Sequence, residues 1–242
     1  MADFDGASVE YGLQNPPRFP SLVDPVIGLV AEMEGLRARR LDDLDTLVVT
    51  KTVAGFSPAM IASIREILLN ARAGRLGRMK FLAFDFAHPG EAAPGLSDDF
   101  EAMVGEVGNL ILSAPIVTVA CARGAMAGAD LEFALACSML IGEGAARFSF
   151  AADPIVSIGV YGLLSHKIGF VRAERLMEQG EVLDLAQMRE LFLLKDVPDV
   201  DAGADILEHF VRRTSRRYNS CYGIYRAQRI TSPIRSGLGA VA

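Results

Sequence analysis

The sequence predicts an α/β protein, a parallel sheet with helices packed around it and a helical extension at the C-terminal end. Three observations carry this. Short apolar, β-branched runs alternate along the chain with segments whose apolar residues recur at helical spacing, the pattern of strand–helix–strand crossovers. The stretch Pro115–Ile141 (PIVTVACARGAMAGADLEFALACSMLI) reads as strand, small-residue turn, short helix and second strand. After about Gly203 the strand pattern stops and only helical spacing continues.

Taken in order, residues 1–24 contain Pro16, Pro17 and Pro20 and read as an irregular arm. Pro25–Leu41 carries Val26, Val30 and Met33 on one face and is assigned a helix, ended by the acidic link Asp42–Asp45. An arm and helix over 1–45, an α/β core over 46–200 and an extension over 201–242 are therefore expected. Thr46–Thr52 (TLVVTKT) reads as a strand. Ser57-Pro58 starts a helix, with Ser as N-cap and Pro at the first helical position; Met60, Ile61, Ile64, Ile67 and Leu68 form its face. Lys80–Phe86 (KFLAFDF) is a second strand. Ser97 opens a helix whose face is Phe100, Met103, Val104, Val107, Leu110 and Ile111. Ile116–Cys121 has the composition of a strand covered on both sides. Beyond Cys137 come strands near Ser138–Ile141 and Arg147–Phe150, then helices over Val160–Ile168, Arg172–Gln179 (closed by Gly180) and Leu183–Leu193. A long helical region is expected over Gly203–Arg229. Its apolar face is Ile206, Leu207, Phe210 and Val211, followed by the stripe Tyr218, Cys221, Tyr222, Tyr225.

Composition sets bounds. The chain has 242 residues, 51% of them hydrophobic, and a net charge of −6. That length suits one sizeable domain, and the acidic balance argues against nucleic acid as a partner. Cys121, Cys137 and Cys221 lack metal-ligand spacing; Cys121 and Cys137 sit in apolar runs and read as reduced core residues, so neither disulfides nor a metal are expected. No apolar run reaches membrane-spanning length, and the acidic start MADFDGASVE is unlike a signal peptide. The expectation is a cytoplasmic protein with no membrane partner.

One acid, Glu132, lies between Leu131 and Phe133 inside the apolar stretch. A carboxylate among apolar residues is costly unless it is paired or its raised pKa is used. Gly124-x-x-x-Gly128 precedes it, but the G-x-G-x-x-G turn of a dinucleotide-binding domain is missing. The run Gly124-x-x-x-Gly128-x-x-x-Glu132-Phe-Ala-Leu-Ala-Cys137 instead resembles the signature of the crotonase (enoyl-CoA hydratase/isomerase) superfamily, with the likeness extending over roughly Leu47 to Ile234. The resemblance implies an α/β crotonase-like (ClpP/crotonase) ββα spiral. Ser165-His166-Lys167-Ile168-Gly169, Ala173–Met177 and the Arg212–Arg226 segment are similar to the branch that makes diffusible signal factor, a cis-2-unsaturated fatty acid.

In that superfamily two backbone N–H groups hold a thioester oxygen while a proton moves at the α-carbon. By resemblance Ala129 supplies one donor. The other falls in the loop Ala87–Leu96, either on Pro94, which has no N–H, or on Gly95, which has one; the site is assigned to Gly95. Gly128, Met126 and Leu96 stand at substrate-binding positions. Asp130 replaces a glycine of the family and threatens to narrow the slot. Glu132 matches the first catalytic glutamate. The second has no counterpart: Phe148-Ser149-Phe150-Ala151-Ala152-Asp153 aligns without a gap to the branch's Phe-Gly-Phe-Pro-Glu and puts Ala152 in the glutamate column. Loss of the second acid is the favoured reading; Asp153, one residue on, is the candidate replacement, which an extended chain points to the opposite side.

The resemblance thus implies action on a fatty acyl thioester, as an enoyl-CoA hydratase or 3-hydroxyacyl dehydratase, with thioester hydrolysis as a further step. The substrate, acyl-CoA or acyl-carrier protein, brings its own CoA or phosphopantetheine, and no separate cofactor is expected. The alternative is a non-catalytic homologue serving as an acyl-binding or regulatory subunit, which Asp130 and Ala152 favour. A homotrimer or dimer of trimers is expected from the resemblance and from the aromatic stripe, which needs a surface to cover.

Overall fold

The computed structural model describes residues 35–88, 98–150, 157–197, 204–219 and 222–224. Strand β1 (Leu36–Leu41) turns through a 3-10 segment, Asp42–Leu44, into β2 (Thr46–Lys51). The two pair antiparallel, Leu41 opposite Thr46, and Asp45 closes the turn with φ 48°, a conformation that Asp tolerates better than most residues. Helix α1 (Pro58–Arg72) starts as expected, with Ser57 Oγ accepting from the Met60 N–H at 3.2 Å. It leads to β3 (Phe81–Phe86), parallel to β2. Helix α2 (Asp98–Ser113) then crosses to β4 (Val117–Ala122), parallel to β3. The short β5 (Ala125–Met126), α3 (Gly128–Ala136) and β6 (Met139–Gly142) complete a five-stranded sheet of order β1-β2-β3-β4-β6. A second sheet, β5-β7-β8, uses β7 (Arg147–Ser149) and β8 (Val182–Leu183). Helices α4 (Ser157–Ile168), α5 (Phe170–Gln179), α6 (Leu185–Glu190) and α7 (Ile206–Ser215) follow the order of the chain.

The period-two alternation of strand side chains divides the core between the two faces of the large sheet. Leu82, Phe84 and Phe86 of β3, with Ala120 and Leu140, join α1, α2 and α3 in the main cluster. Phe81, Ala83, Val119, Cys121, Met139 and Ile141 face the other way and are covered by Ile206, Leu207, Phe210 and Val211 of α7. Both faces being covered, the central strands read as nearly continuous apolar runs. Arg123 pins α7 in place: its guanidinium reaches Asp85 at 2.7 Å, Asp205 (the N-cap of α7) at 3.1 Å, and Glu143.

Several expectations are corrected. Leu36–Leu41, assigned to a helix, is an edge strand of the core sheet. Leu, Ala and Arg are good helix formers, but ladder pairing along all of β2 outweighs that preference, and the core sheet starts well before residue 46. Residues 25–34 lie outside the described residues. The helix expected over Leu183–Leu193 is shortened to Leu185–Glu190, because Leu183 pairs with Phe148 and Asp184 caps the helix in a reciprocal capping box with Gln187. The long helix over Gly203–Arg229 is not continuous; α7 ends at Ser215 with Arg216 as C-cap. Of the aromatic stripe, Tyr218 packs edge-on against Phe81 at 5.3 Å and stacks on Tyr222 at 5.6 Å, so Tyr218 is covered by its own sheet; Cys221 and Tyr225 lie outside the described residues. Cys121 and Cys137 are buried thiols, and burial pushes Cys121 up, away from thiolate character. Among the described residues no helix is long and apolar enough to cross a membrane.

Candidate active site

The site is built around α3. Ala127, extended at φ −148°, leads into Gly128 at φ +52°, a left-handed conformation that glycine adopts at little cost. From Ala129 to Ala136 every residue is buried, so the helix lacks the polar face of a surface helix. The N–H of Ala129 lies in the first turn, where backbone donors have no intrahelical partner and the helix dipole favours negative charge. Local chemistry at this turn therefore suits an oxyanion.

Asp130 follows in the same turn, 2% exposed. Its carboxylate is turned to Lys51 at the end of β2, whose ammonium donates to Asp130 Oδ2 at 3.1 Å and to the His88 carbonyl at 3.2 Å. The same ammonium lies 5.1 Å over the ring of Phe56, which packs against Phe133 at 4.9 Å. Burial lowers the pKa of Lys51, and the Asp130 charge opposes that shift. The departure from glycine at 130 is thus matched by a buried cation. This ion pair joins three pieces of backbone: the end of β2, the start of α3 and the chain just after β3.

Glu132 lies two residues further along α3, about half a turn on, and α3 packs between α2 and α4. It is 7% exposed, and among the described residues no hydrogen bond or ion pair to it is recorded. Burial alone raises its pKa from 4.5 to about 7. Gly159 of α4 makes room for the carboxyl group, while Gly108 of α2 stands at ordinary contact distance from it. A Cβ on Gly159 of α4 would lie 2.5 Å from the Glu132 carboxyl carbon, and one on Gly108 of α2 would lie 3.7 Å from Oε1. A carboxyl group that ionises near neutral pH is suited both to take and to return a proton.

The structure brings Gly128, Ala129 and Glu132 together on one short helix. Met126, assigned to substrate binding, is fully buried in the main cluster and packs as a core residue. Gly95, Leu96 and Asp153, with Pro94 and Ala152, lie outside the described residues. Sequence reasoning missed Lys51 and the role of Gly159. Lys51 and Asp130 were each an isolated charge in an apolar run, a pattern that calls for a partner.

The chain was compared with known proteins. No family model matches it, and no curated protein is similar in sequence. Solved structures do match. A candidate enoyl CoA hydratase/isomerase (crotonase) from Legionella pneumophila subsp. pneumophila str. Philadelphia 1 superposes with TM-score 0.68 at 16% identity, covering 84% of this chain and 85% of the other. The fold is that of the crotonases. An enoyl-CoA hydratase from Mycobacterium avium subsp. paratuberculosis K-10 gives TM-score 0.67 at 18% identity, over 85% and 90% of the two chains. A monofunctional enoyl CoA isomerase from M. smegmatis gives 0.63 at 22%, over 87% and 96%. The crotonase-like α/β architecture expected from Gly124–Cys137 is therefore borne out.

Proposed function

We propose that this protein acts on a fatty acyl thioester, with Glu132 carrying a proton next to a carbonyl oxygen held by the Ala129 N–H and, from the loop after β3, the Gly95 N–H. The observation that supports this most is the desolvated carboxyl of Glu132 one turn from the Ala129 N–H at the start of α3. In such a site the oxyanion donors stabilise the enolate formed when the α-proton leaves, and the carboxylate that took the proton is the group that returns it.

A single carboxylate of this kind is enough to move a double bond: the α-proton of a 3-enoyl thioester goes to Glu132, and the same proton is delivered to the γ-carbon, leaving the 2-enoyl isomer. Hydration or dehydration asks for a second acid, and the glutamate column holds Ala152. Isomerisation is accordingly the favoured reaction, and the M. smegmatis neighbour is described as an isomerase. Synthesis of a cis-2-unsaturated acid through dehydration of a 3-hydroxyacyl thioester, followed by hydrolysis, rests on the C-terminal motifs and requires Asp153 to serve as that second acid. The test is turnover of 3-enoyl-, 2-enoyl- and 3-hydroxyacyl-CoA by the wild-type protein and by Glu132→Gln. Isomerisation lost in the variant supports the reading. Thermal stabilisation by acyl-CoA without turnover of any of the three makes the chain an acyl-binding homologue instead.

A further inference from the structure

A second site lies on the far side of the large sheet from Glu132. Met139 of β6 and Phe210 of α7, both in the cluster opposite the α3 side, form the apolar floor of an open cleft of about 420 Å³. That volume falls in the range of small-molecule sites, roughly 300–1,000 Å³. Lys195, Arg213, Arg216 and Arg217 line its walls. Lys195 is placed there by its backbone, whose N–H donates to the Leu140 carbonyl at 2.7 Å and holds the 193–197 segment along β6.

Among the described residues the charge on these walls is uncompensated. Arg212, one residue from Arg213, pairs with Asp43 at 2.9 Å and Glu208 at 3.0 Å. Among the described residues no ion pair is recorded for Lys195, Arg213, Arg216 or Arg217. The acid in the lining, Asp196, is engaged by Arg189 at 3.0 Å. Arg213, Arg216 and Arg217 line the same cleft, and like charges so gathered repel. The end of α7 favours cations through its dipole, but Arg212 already serves that purpose. A chain with six more acidic than basic residues nonetheless gathers four cations here, and among the described residues no acid pairs with them.

We propose that this cleft binds a phosphorylated small molecule bearing an apolar or ring moiety, the chemistry of a nucleoside polyphosphate. The guanidinium groups would engage phosphate oxygens in bidentate fashion, and the ring part would rest on Met139 and Phe210. The cleft and the α3 site lie on opposite faces of the sheet, so the two bind independently.

The experiment is isothermal titration of the full chain with ADP, ATP and inorganic pyrophosphate at low and at about 0.5 M salt, with melting temperature as a second readout. Binding of ADP or ATP that weakens at high salt is expected, with pyrophosphate weaker because it lacks the ring. Arg213→Ala and Arg217→Ala, both exposed and outside the core, should each weaken nucleotide binding by roughly tenfold or more, whereas Glu132→Gln should leave it unchanged. No heat and no melting shift with any of the three probes at millimolar concentration overturns the proposal. So does nucleotide binding unaffected by both arginine variants, or lost in Glu132→Gln. Binding confined to anionic phosphatidylglycerol vesicles, with none to the free phosphates, would assign the surface to a membrane and also overturn it.

Discussion

Replacing Glu132 by Gln should make the protein more stable, and only above acidic pH. The carboxyl group is 7% exposed and its pKa rises from 4.5 to about 7 through desolvation. In the unfolded chain it ionises near 4.5; in the folded chain it holds its proton until about pH 7. Between those values the folded state binds more protons, so wild-type stability falls as pH rises through this window and levels off above it. The loss is about 3 kcal/mol, at 1.36 kcal/mol per pH unit. Gln has nearly the same shape and no charge to desolvate, so Glu132→Gln escapes the penalty. At pH 8 the variant should exceed wild type by about 3 kcal/mol, roughly 6–12 °C in melting temperature for a chain of this size. At pH 4.5 and below the difference should vanish. The assay is urea unfolding of both proteins at pH 4.5, 6, 7 and 8. Equal stability at all four values, or a variant less stable at pH 8, would refute the burial argument.

Further perturbations probe the same framework. Lys51→Met leaves the Asp130 carboxylate buried without its ammonium and should cost about 3–5 kcal/mol, measured by urea unfolding; adding Asp130→Asn should recover much of that loss. Gly159→Ala places a methyl group against the Glu132 carboxyl carbon, which lies 2.5 Å from the site of the new Cβ, so turnover of a 3-enoyl thioester should fall far more than the melting temperature does. Gly128→Val forces a β-branched residue to φ +52° and should abolish the rise in melting temperature caused by acyl-CoA. Ala152→Glu should raise hydration of a 2-enoyl thioester if the second acid is what the chain lacks, and Asp153→Ala should lower any dehydration that wild type shows.

Much of this was legible from residue order, for identifiable reasons. The strand–turn–helix–strand reading of Pro115–Ile141 held because each piece agrees with its context: β-branched residues in a doubly covered strand, Gly128 at a positive-φ turn, and small or apolar residues through a helix buried on all sides. Glu132 stood out because a lone acid in such a run demands an explanation. The misreadings share one cause, long-range pairing that a local pattern does not encode. Leu36–Leu41 has helical composition and becomes a strand only because β2 is there to pair with. Tyr218 looked like an unpartnered stripe only until Phe81 was found beneath it. Asp130 looked like an obstruction, although Lys51 lies 79 residues earlier and meets it inside the core. The cleft at Arg213 and Arg217 is of the same kind, since only the packing of α7 across the sheet sets those arginines beside Lys195.

The measurement that bears most directly on the central claim is the conversion of a 3-enoyl-CoA to its 2-enoyl isomer, followed by the absorbance of the conjugated thioester, for wild type and Glu132→Gln across pH 5 to 9. The account predicts wild-type turnover that rises through about pH 7 as Glu132 ionises, and a loss on the order of 10²–10⁴ in the variant with acyl-CoA binding retained. Turnover that survives Glu132→Gln, or a pH profile flat through 7, would contradict it.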